Sequence, residues 1–174
     1  MPASILIAYA TRYGSTQEVA EVVAATLQEQ GLEVDSLVMR KVRTLEQYRA
    51  VVLGAPLYMF HWHKDARRFL ARHPQDLTAR SVVIFALGPF HAEEQEYQAS
   101  RDQLAGDLAK FPWLKPETIA MFGGKFDAAK LTFPYNLMPA LRRMPASYVR
   151  DWPVIRAWAA ELAERLQATG AATQ

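Results

Sequence analysis

Hydroxyl side chains and a glycine follow the first apolar run of the sequence. Thr11, Ser15 and Thr16 carry the hydroxyls, and Gly14 would let a ligand approach the backbone closely. A segment of helical period begins at Ser15, so N–H groups at its start would add to an anion site. These features predict a phosphate-binding loop made of Thr11, Arg12, Tyr13, Gly14, Ser15 and Thr16.

The same loop has an ordinary structural interpretation. Ser15 and Glu18 have the S-x-x-E spacing of a capping box, which satisfies a helix N-terminus without a ligand. No G-x-G-x-x-G follows the first apolar run, and no G-x-x-x-x-G-K-[ST] occurs in the sequence. A dinucleotide-binding fold and a P-loop ATPase are therefore disfavoured, while the capping box stays open as an alternative.

Aromatic and sulfur side chains are concentrated after the apolar run that ends at Ala55. Tyr58, Met59, Phe60 and Trp62 follow a strand end that should be exposed, where side chains of this kind need a partner. A planar ring would provide one, because stacking adds about 0.5–1.5 kcal/mol beyond area burial. The alternative is that these residues belong to the core, as we expect for two of the four. This second predicted loop contributes Pro56, Leu57, Tyr58, Met59, His61 and Trp62 to the candidate site.

Histidines accompany these loops without defining a catalytic group. His61 and His63 form H-x-H, but no third ligand is near in sequence, so no metal site is predicted. A third loop adds a glycine, a proline and an aromatic residue through Leu87, Gly88, Pro89 and Phe90, and ends at His91. We expect His61 and His91 to be structural hydrogen-bonding groups, and no catalytic acid or base is identified.

The elements that position these loops are read from apolar periodicity. Runs at 4–10, 32–38, 49–55, 81–87 and 118–122 predict five strands. Helical segments are predicted from Ser15 to Gly31, at 64–72, at 97–110, and from an N-cap at Asp151 to just before Gly170. This alternation predicts one α/β domain over residues 1–174, with a parallel sheet and ligand loops at the carboxyl ends of its strands.

Residues 123–150 interrupt this rhythm and are predicted to be a basic insertion before the last helix. Between Gly124 and Arg150 the sequence has five basic residues against Asp127 alone, a net charge of +4. Its apolar residues are not needed to complete the sheet. A segment with both properties is able to lie on an anionic membrane surface. The alternative is a loop folded over its own domain.

Composition excludes several classes of protein. The 174 residues include no cysteine, so disulfide scaffolds, thiolate metal sites and a cysteine nucleophile are ruled out, and redox chemistry would need a cofactor. A net charge of +2 is small for a nucleic-acid binder. No apolar run approaches the ~18 residues of a membrane span, and no signal-peptide pattern begins the chain. We expect a cytoplasmic protein, peripheral at the inner face of the membrane if the insertion binds lipid.

Taken together, the three loops resemble the FMN-binding loops of the flavodoxin-like family. The resemblance is carried by T-R-Y-G-S-T after the first strand, the aromatic loop after the third and the Gly-bearing loop after the fourth. A closer resemblance, to the menaquinone-dependent protoporphyrinogen dehydrogenase branch, lies in Gly54-Ala55, His61-Trp62-His63, Phe69, His73, Gly123-Gly124, Pro134 and Asp151-Trp152. The resemblance implies a three-layer αβα sandwich of strand order 2-1-3-4-5, with FMN in the three loops. Trp62 or Tyr58 would then lie against the isoalloxazine ring.

The resemblance further implies an FMN-dependent oxidoreductase that oxidises a porphyrinogen or similar reduced aromatic substrate and passes electrons to a quinone. Tyr13 and the lack of G-x-G-D after the fourth strand depart from electron-carrier flavodoxins. Those carriers are also acidic, which helps them dock on basic partners, whereas this chain has a net charge of +2. Two alternatives stay open: a flavodoxin-type electron carrier without its own substrate, and a flavin-free interaction module acting through the basic insertion.

Overall fold

The computed structural model describes residues 4–58, 61–88, 93–123, 125–126, 147–148 and 151–172. The strands are β1 (Ser4–Tyr9), β2 (Val34–Val38), β3 (Tyr48–Tyr58), β4 (His61–Trp62), β5 (Ser81–Leu87), β6 (Thr118–Phe122), β7 (Lys125–Phe126) and β8 (Ser147–Tyr148). The helices are α1 (Ser15–Glu29), α2 (Lys64–Arg72), α3 (Pro74–Thr78), α4 (Glu94–Leu108) and α5 (Trp152–Ala171), and a 3₁₀ turn, η1, spans Met39–Lys41.

Parallel pairing orders the main sheet β2-β1-β3-β5-β6. The short β4 was not predicted and pairs antiparallel with the end of β3. When β4 is set aside, the order is the predicted 2-1-3-4-5, and the predicted fold class is confirmed. Within the predicted insertion, β7 and β8 form a separate antiparallel pair.

Alternate residues along the strands face two separate cores, one on each side of the sheet. On one side Ile5, Ile7, Val52 and Phe85 pack with α1 and α5. On the other side lie a second set of strand residues and the buried faces of η1, α2, α3 and α4. The ring of Phe85 on β5 lies over Gly54 of β3, so a Cβ at Gly54 would overlap it. Both faces of the sheet are therefore buried, as the apolar runs of the sequence predicted.

The last helix begins as predicted and ends later. Asp151 Oδ1 accepts a hydrogen bond from Val154 N over 3.2 Å, and a proline occupies the first turn. The predicted end before Gly170 is wrong, because α5 continues to Ala171. Gly170 lies against Arg49 instead: a Cβ at that position would be 3.1 Å from the Arg49 Cζ. The glycine therefore permits a close contact here and does not end the helix.

Candidate functional site

Strand β3 brings the three predicted loops to one edge of the sheet. Ala10 N donates to Gly54 O over 2.9 Å, which places the end of β1 beside β3. On the other side Pro56 is the register partner of Leu87 at the end of β5. Because the three strands are parallel, the segments that follow them leave the sheet side by side. Of the predicted site residues, Met59, Pro89 and Phe90 lie outside the described residues, as does His91.

The phosphate loop turns into α1 through Gly14. This residue has φ of 89°, a left-handed conformation that favours glycine, and no described atom lies within 4 Å of where its Cβ would be. Thr11 Oγ1 accepts a hydrogen bond from Gly14 N over 2.9 Å. The first helical bond runs from Glu18 N to Gly14 O over 3.1 Å. Gly14 is therefore the N-cap, and the alternative of a capping box with Ser15 as N-cap is wrong.

The hydroxyl of Thr16 is the unusual group in this loop. Thr16 is 1% exposed, and its Oγ1 has no hydrogen-bond partner in the described part of the chain. Leaving a buried polar group unpaired costs about 1–3 kcal/mol, which a ligand oxygen would offset. The hydroxyl lies in the first turn of α1, where orphan N–H groups and the helix dipole favour negative charge. These residues fit the phosphate group of a mononucleotide such as FMN.

A cluster of one cation and two phenols joins the phosphate loop to the aromatic segment. Tyr13 and Tyr58 share a hydrogen bond of 3.0 Å between their hydroxyls, and Arg12 Nε donates to Tyr13 OH over 3.2 Å. The Arg12 guanidinium also lies 5.4 Å from the centroid of the Tyr58 ring. Tyr58 is half-buried. The phosphate loop and the aromatic segment therefore lie close together, as predicted, and a positive charge lies beside the phosphate loop.

The aromatic segment itself is a hairpin and not the predicted loop. β3 extends to Tyr58, and β4 returns with Leu57 opposite Trp62 and Tyr58 opposite His61. Leu57 and Trp62 are buried in the core, and Trp62 Nε1 donates to Ala55 O over 3.0 Å. The prediction that Trp62 stacks on a cofactor ring does not fit its place in the core, where the indole already packs among protein side chains and donates to Ala55 O. Tyr58 is the candidate that keeps a position beside the site.

Asp107 of α4 fixes the other strand of this hairpin. Its carboxylate accepts hydrogen bonds from Trp62 N over 2.6 Å, from His61 Nδ1 over 3.2 Å and from Lys110 Nζ over 3.1 Å. Burial would raise the pKa of Asp107, but these bonds outweigh it and hold the pKa below its ordinary value. His61, bound to the carboxylate through Nδ1, keeps 54% of its side chain exposed. Sequence reasoning missed Asp107, because no motif relates it to a residue 46 positions earlier.

His63, two residues further on, has a different role from His61. Its Nδ1 accepts a hydrogen bond from Asp65 N over 3.1 Å and so caps α2. Burial lowers the pKa of His63, and the positive charges of Lys64, Arg12 and Arg40 lower it further, against the opposing charge of Asp65. The His61 ring thus binds a carboxylate, whereas the His63 ring accepts from a backbone N–H group. Among the residues described, no group of three or more His, Asp or Glu side chains could hold a metal ion.

A cleft of about 300 Å³ adjoins the third loop at the carboxyl end of β6. It is lined by Glu94, Tyr97, Arg101, Met121, Phe122, Gly123, Asp151 and Val154. Gly88 N donates to Phe122 O over 3.0 Å, so the third loop is bonded to the cleft wall. A Cβ at Gly88 would lie 2.8 Å from Ser100 Oγ, which leaves no room for a side chain there. The lining combines the charged residues Glu94, Arg101 and Asp151 with the apolar side chains of Met121, Phe122 and Val154.

Comparison with known proteins shows which family has a sequence similar to this chain. A family model described as "flavodoxin domain" matches residues 6–141, a span that contains all three predicted loops. Protoporphyrinogen IX dehydrogenase [quinone] from Escherichia coli is 23% identical over 121 residues, which cover 68% of this chain and 67% of the relative.

Solved structures show the same architecture. Oxidised flavodoxin 1 from Bacillus cereus has a TM-score of 0.59 and 16% identity, covering 92% of this chain and 97% of that one. A single-residue variant of flavodoxin from Pseudomonas aeruginosa has a TM-score of 0.61 and 15% identity, covering 94% and 99%. The family match supports FMN as the cofactor, in agreement with the fit of the phosphate loop. The chain belongs to the flavodoxin domain family.

Proposed function

We propose that this chain is an FMN-dependent oxidoreductase that takes electrons from a small reduced aromatic substrate and passes them to a quinone. The observation that carries the FMN-binding part of the proposal is the buried Thr16 hydroxyl without a partner in the described chain, placed at the N-terminus of α1. When bound, FMN supplies the redox chemistry, and the protein supplies position and electrostatics.

The proposed contacts follow from where each residue lies. Thr11, Gly14, Ser15 and Thr16 would hold the phosphate, with Arg12 balancing its charge. Tyr58 and Tyr13 would flank the ring system on the hairpin side. The backbones of Pro56, Leu57, Leu87 and Gly88 would line the strand ends between them. His61 would exchange a proton with the substrate at Nε2, because Asp107 holds its Nδ1.

Two observations favour an enzyme over a carrier without a substrate of its own. The cleft at the end of β6 adjoins the third loop and is large enough for a small aromatic group. The similarity to protoporphyrinogen IX dehydrogenase [quinone], although only 23%, supports the substrate class and the quinone acceptor. The carrier is the second candidate, and it is favoured by flavodoxins that match 92–94% of this chain in structure.

The visible spectrum of the purified protein tests the proposal. We expect added FMN to remain with the protein through desalting and to show a perturbed flavin spectrum. Protein that stays colourless would contradict both candidates and favour the flavin-free interaction module. With FMN bound, turnover of a porphyrinogen with a quinone acceptor supports the enzyme, whereas stable FMN binding without turnover of any reduced aromatic substrate supports the carrier.

A further inference from the structure

The surface formed by η1, the residues just after it and α2 is strongly positive. Its exposed cations are Arg40, Lys41, Arg43, Lys64, Arg68 and Arg72, and we call this surface the basic face. Asp65 is the acidic residue that lies among these cations, and it is buried. The basic face therefore has a net charge of +5, while the whole chain has +2, so the remainder of the chain is at −3. The basic face and the predicted insertion, at +5 and +4, are therefore balanced by a net charge of −7 over the rest of the chain.

The packing of α2 explains why these cations point outward together. Ala66, Phe69 and Leu70 of α2 are buried in the core, so Lys64, Arg68 and Arg72 fall on the solvent side of the same short helix. Arg40 Nε binds Asp65 Oδ2 over 3.1 Å, which ties η1 to α2. A cleft of about 100 Å³ lies between them, lined by Met39, Arg40, Asp65, Arg68, Phe69 and Arg72. Three of the six cations, Arg40, Arg68 and Arg72, thus line a concave surface.

The basic face adjoins the proposed flavin site. α2 starts at Lys64, directly after His63 and the hairpin that carries Tyr58. The charges of Lys64 and Arg40 act on His63 together with that of Arg12 from the phosphate loop. Positive charge therefore runs from the phosphate loop across the start of α2 to the cleft. A molecule bound there would be next to the edge of the sheet where the three loops meet.

We propose that the basic face docks the acidic surface of a partner protein; that this partner exchanges electrons with the chain rests on the FMN binding in the proposed function. Four of its six cations are arginines, whose planar guanidinium groups bind carboxylates with two hydrogen bonds. Complementary charge speeds association and fixes orientation.

The surface suits a protein better than a lipid bilayer. Among the described residues the exposed large apolar side chains are Ile119 and Val154, which lie on β6 and α5 and not on the basic face. Helices that bind a bilayer interface combine basic residues with an exposed apolar face. The basic face instead has positive charge at a concave surface, which fits carboxylate side chains that protrude from a protein.

Binding of a fluorescently labelled polyglutamate peptide, measured by anisotropy, tests the proposal on the full chain. We expect Lys41→Glu/Arg72→Glu to raise the Kd at least about tenfold, and added salt to weaken binding to the parent steeply. Arg43→Glu/Lys64→Glu provides an independent reversal of the same face. Arg156→Glu/Arg165→Glu is the matched control, because it makes the same charge change on exposed residues of α5 across the sheet.

Three outcomes would overturn the proposal. The first is polyglutamate binding that the control weakens as much as the two reversals of the basic face. The second is binding indifferent to salt. The third is sedimentation with phosphatidylglycerol vesicles that depends on the basic face, without polyglutamate binding, which would identify a lipid contact. FMN affinity is measured separately on every variant: its absence in the parent would refute the proposed function, while the peptide assay would still decide the docking surface.

Discussion

The side chain of Thr16 is buried in the first turn of α1, and its hydroxyl has no partner among the described residues. Thr16→Val keeps the shape of the side chain and removes the hydroxyl. We expect the Kd for FMN to rise at least about tenfold, because a hydrogen bond to a charged group is worth about 1.5–3 kcal/mol. Without FMN, the variant should unfold at the same or a higher urea concentration, since no protein hydrogen bond is lost.

Ser36→Ala is the matched control for this variant. Ser36 Oγ on β2 is also buried without a partner in the described chain, but it lies away from the phosphate loop. We expect this variant to bind FMN like the parent. Titration of flavin fluorescence measures both affinities, and an unchanged affinity in Thr16→Val would remove Thr16 from the phosphate site.

Trp62 leads to a prediction about stability and not about the cofactor. Its indole is buried and donates to Ala55 O over 3.0 Å. Trp62→Phe would remove that hydrogen bond, worth about 0.5–1.5 kcal/mol, and would also remove packed volume. We expect a lower urea midpoint together with nearly unchanged FMN affinity. A strong loss of FMN affinity in a variant that keeps the parent's stability would restore the original stacking prediction.

Single residues were predictable where the information is local in sequence. The hydroxyls of Thr11 and Thr16 and the turn at Gly14 follow from a short pattern between a strand and a helix, and the structure places them together. Asp107 was not predictable, because its function depends on two contacts with residues 45 and 46 positions away. Two of the four aromatic and sulfur residues were expected in the core, but that Trp62 is one of them was not predictable for the same reason: the core around it comes from α2, α4 and the sheet.

Helix α2 has a cap that depends on pH. His63 Nδ1 accepts from Asp65 N only when the ring is neutral, and burial lowers the pKa of His63 below its ordinary value. In the unfolded chain a histidine has a pKa of about 6.5, so the unfolded state binds the proton first as pH falls. The contribution of His63 to stability is therefore full above about pH 6.5 and is lost below it.

His63→Asn tests this cap. Asparagine is a good N-cap acceptor that does not titrate, so we expect the urea midpoint of the variant to change less than that of the parent between about pH 7.5 and 5.5. Asp107, whose pKa is also low, does not interfere, because its contribution is lost only near the ordinary aspartate pKa of about 3.9. An equal loss of stability in both proteins would show that the cap is not the titrating element.

At the level of elements, long periodic segments were predicted well and the hairpin was not. The five parallel strands and the start of α5 follow from apolar runs and an N-cap. β4 has two residues, too few for any sequence pattern, and the apolar run of the third strand predicted its end at Ala55, whereas β3 extends to Tyr58. The strand continues through Pro56 because its carbonyl still accepts from His63 N over 2.9 Å.

Across the whole molecule, basic residues are concentrated in two parts of the sequence, the predicted insertion and the segments that form the basic face. Arg142 and Arg143 of the insertion lie outside the described residues, and none of the helices within the described ranges is long and apolar enough to cross a membrane. We expect weak, salt-sensitive sedimentation with anionic vesicles that Arg142→Glu/Arg143→Glu abolishes while FMN binding is retained, since each basic group near anionic lipid contributes about 1 kcal/mol.

The same charge change elsewhere provides the comparison for this experiment. Arg156→Glu/Arg165→Glu on α5 should sediment like the parent. No sedimentation of the parent at low salt, or equal sedimentation of all variants, would contradict a membrane contact through the insertion and would favour a redox domain that works away from lipid.

Because the sheet has a core on each face, a ligand in the three loops would contact elements of both cores and hold them together. The phosphate loop belongs to the layer of α1 and α5, whereas the hairpin packs in the layer of α2 and α4 on the opposite face of the sheet. A ligand present at about 100 times its Kd adds about 2.7 kcal/mol to stability. FMN would contact both layers at once. We therefore expect the amide protons of α4 to exchange more slowly with solvent when FMN is bound, although the phosphate lies in the other layer.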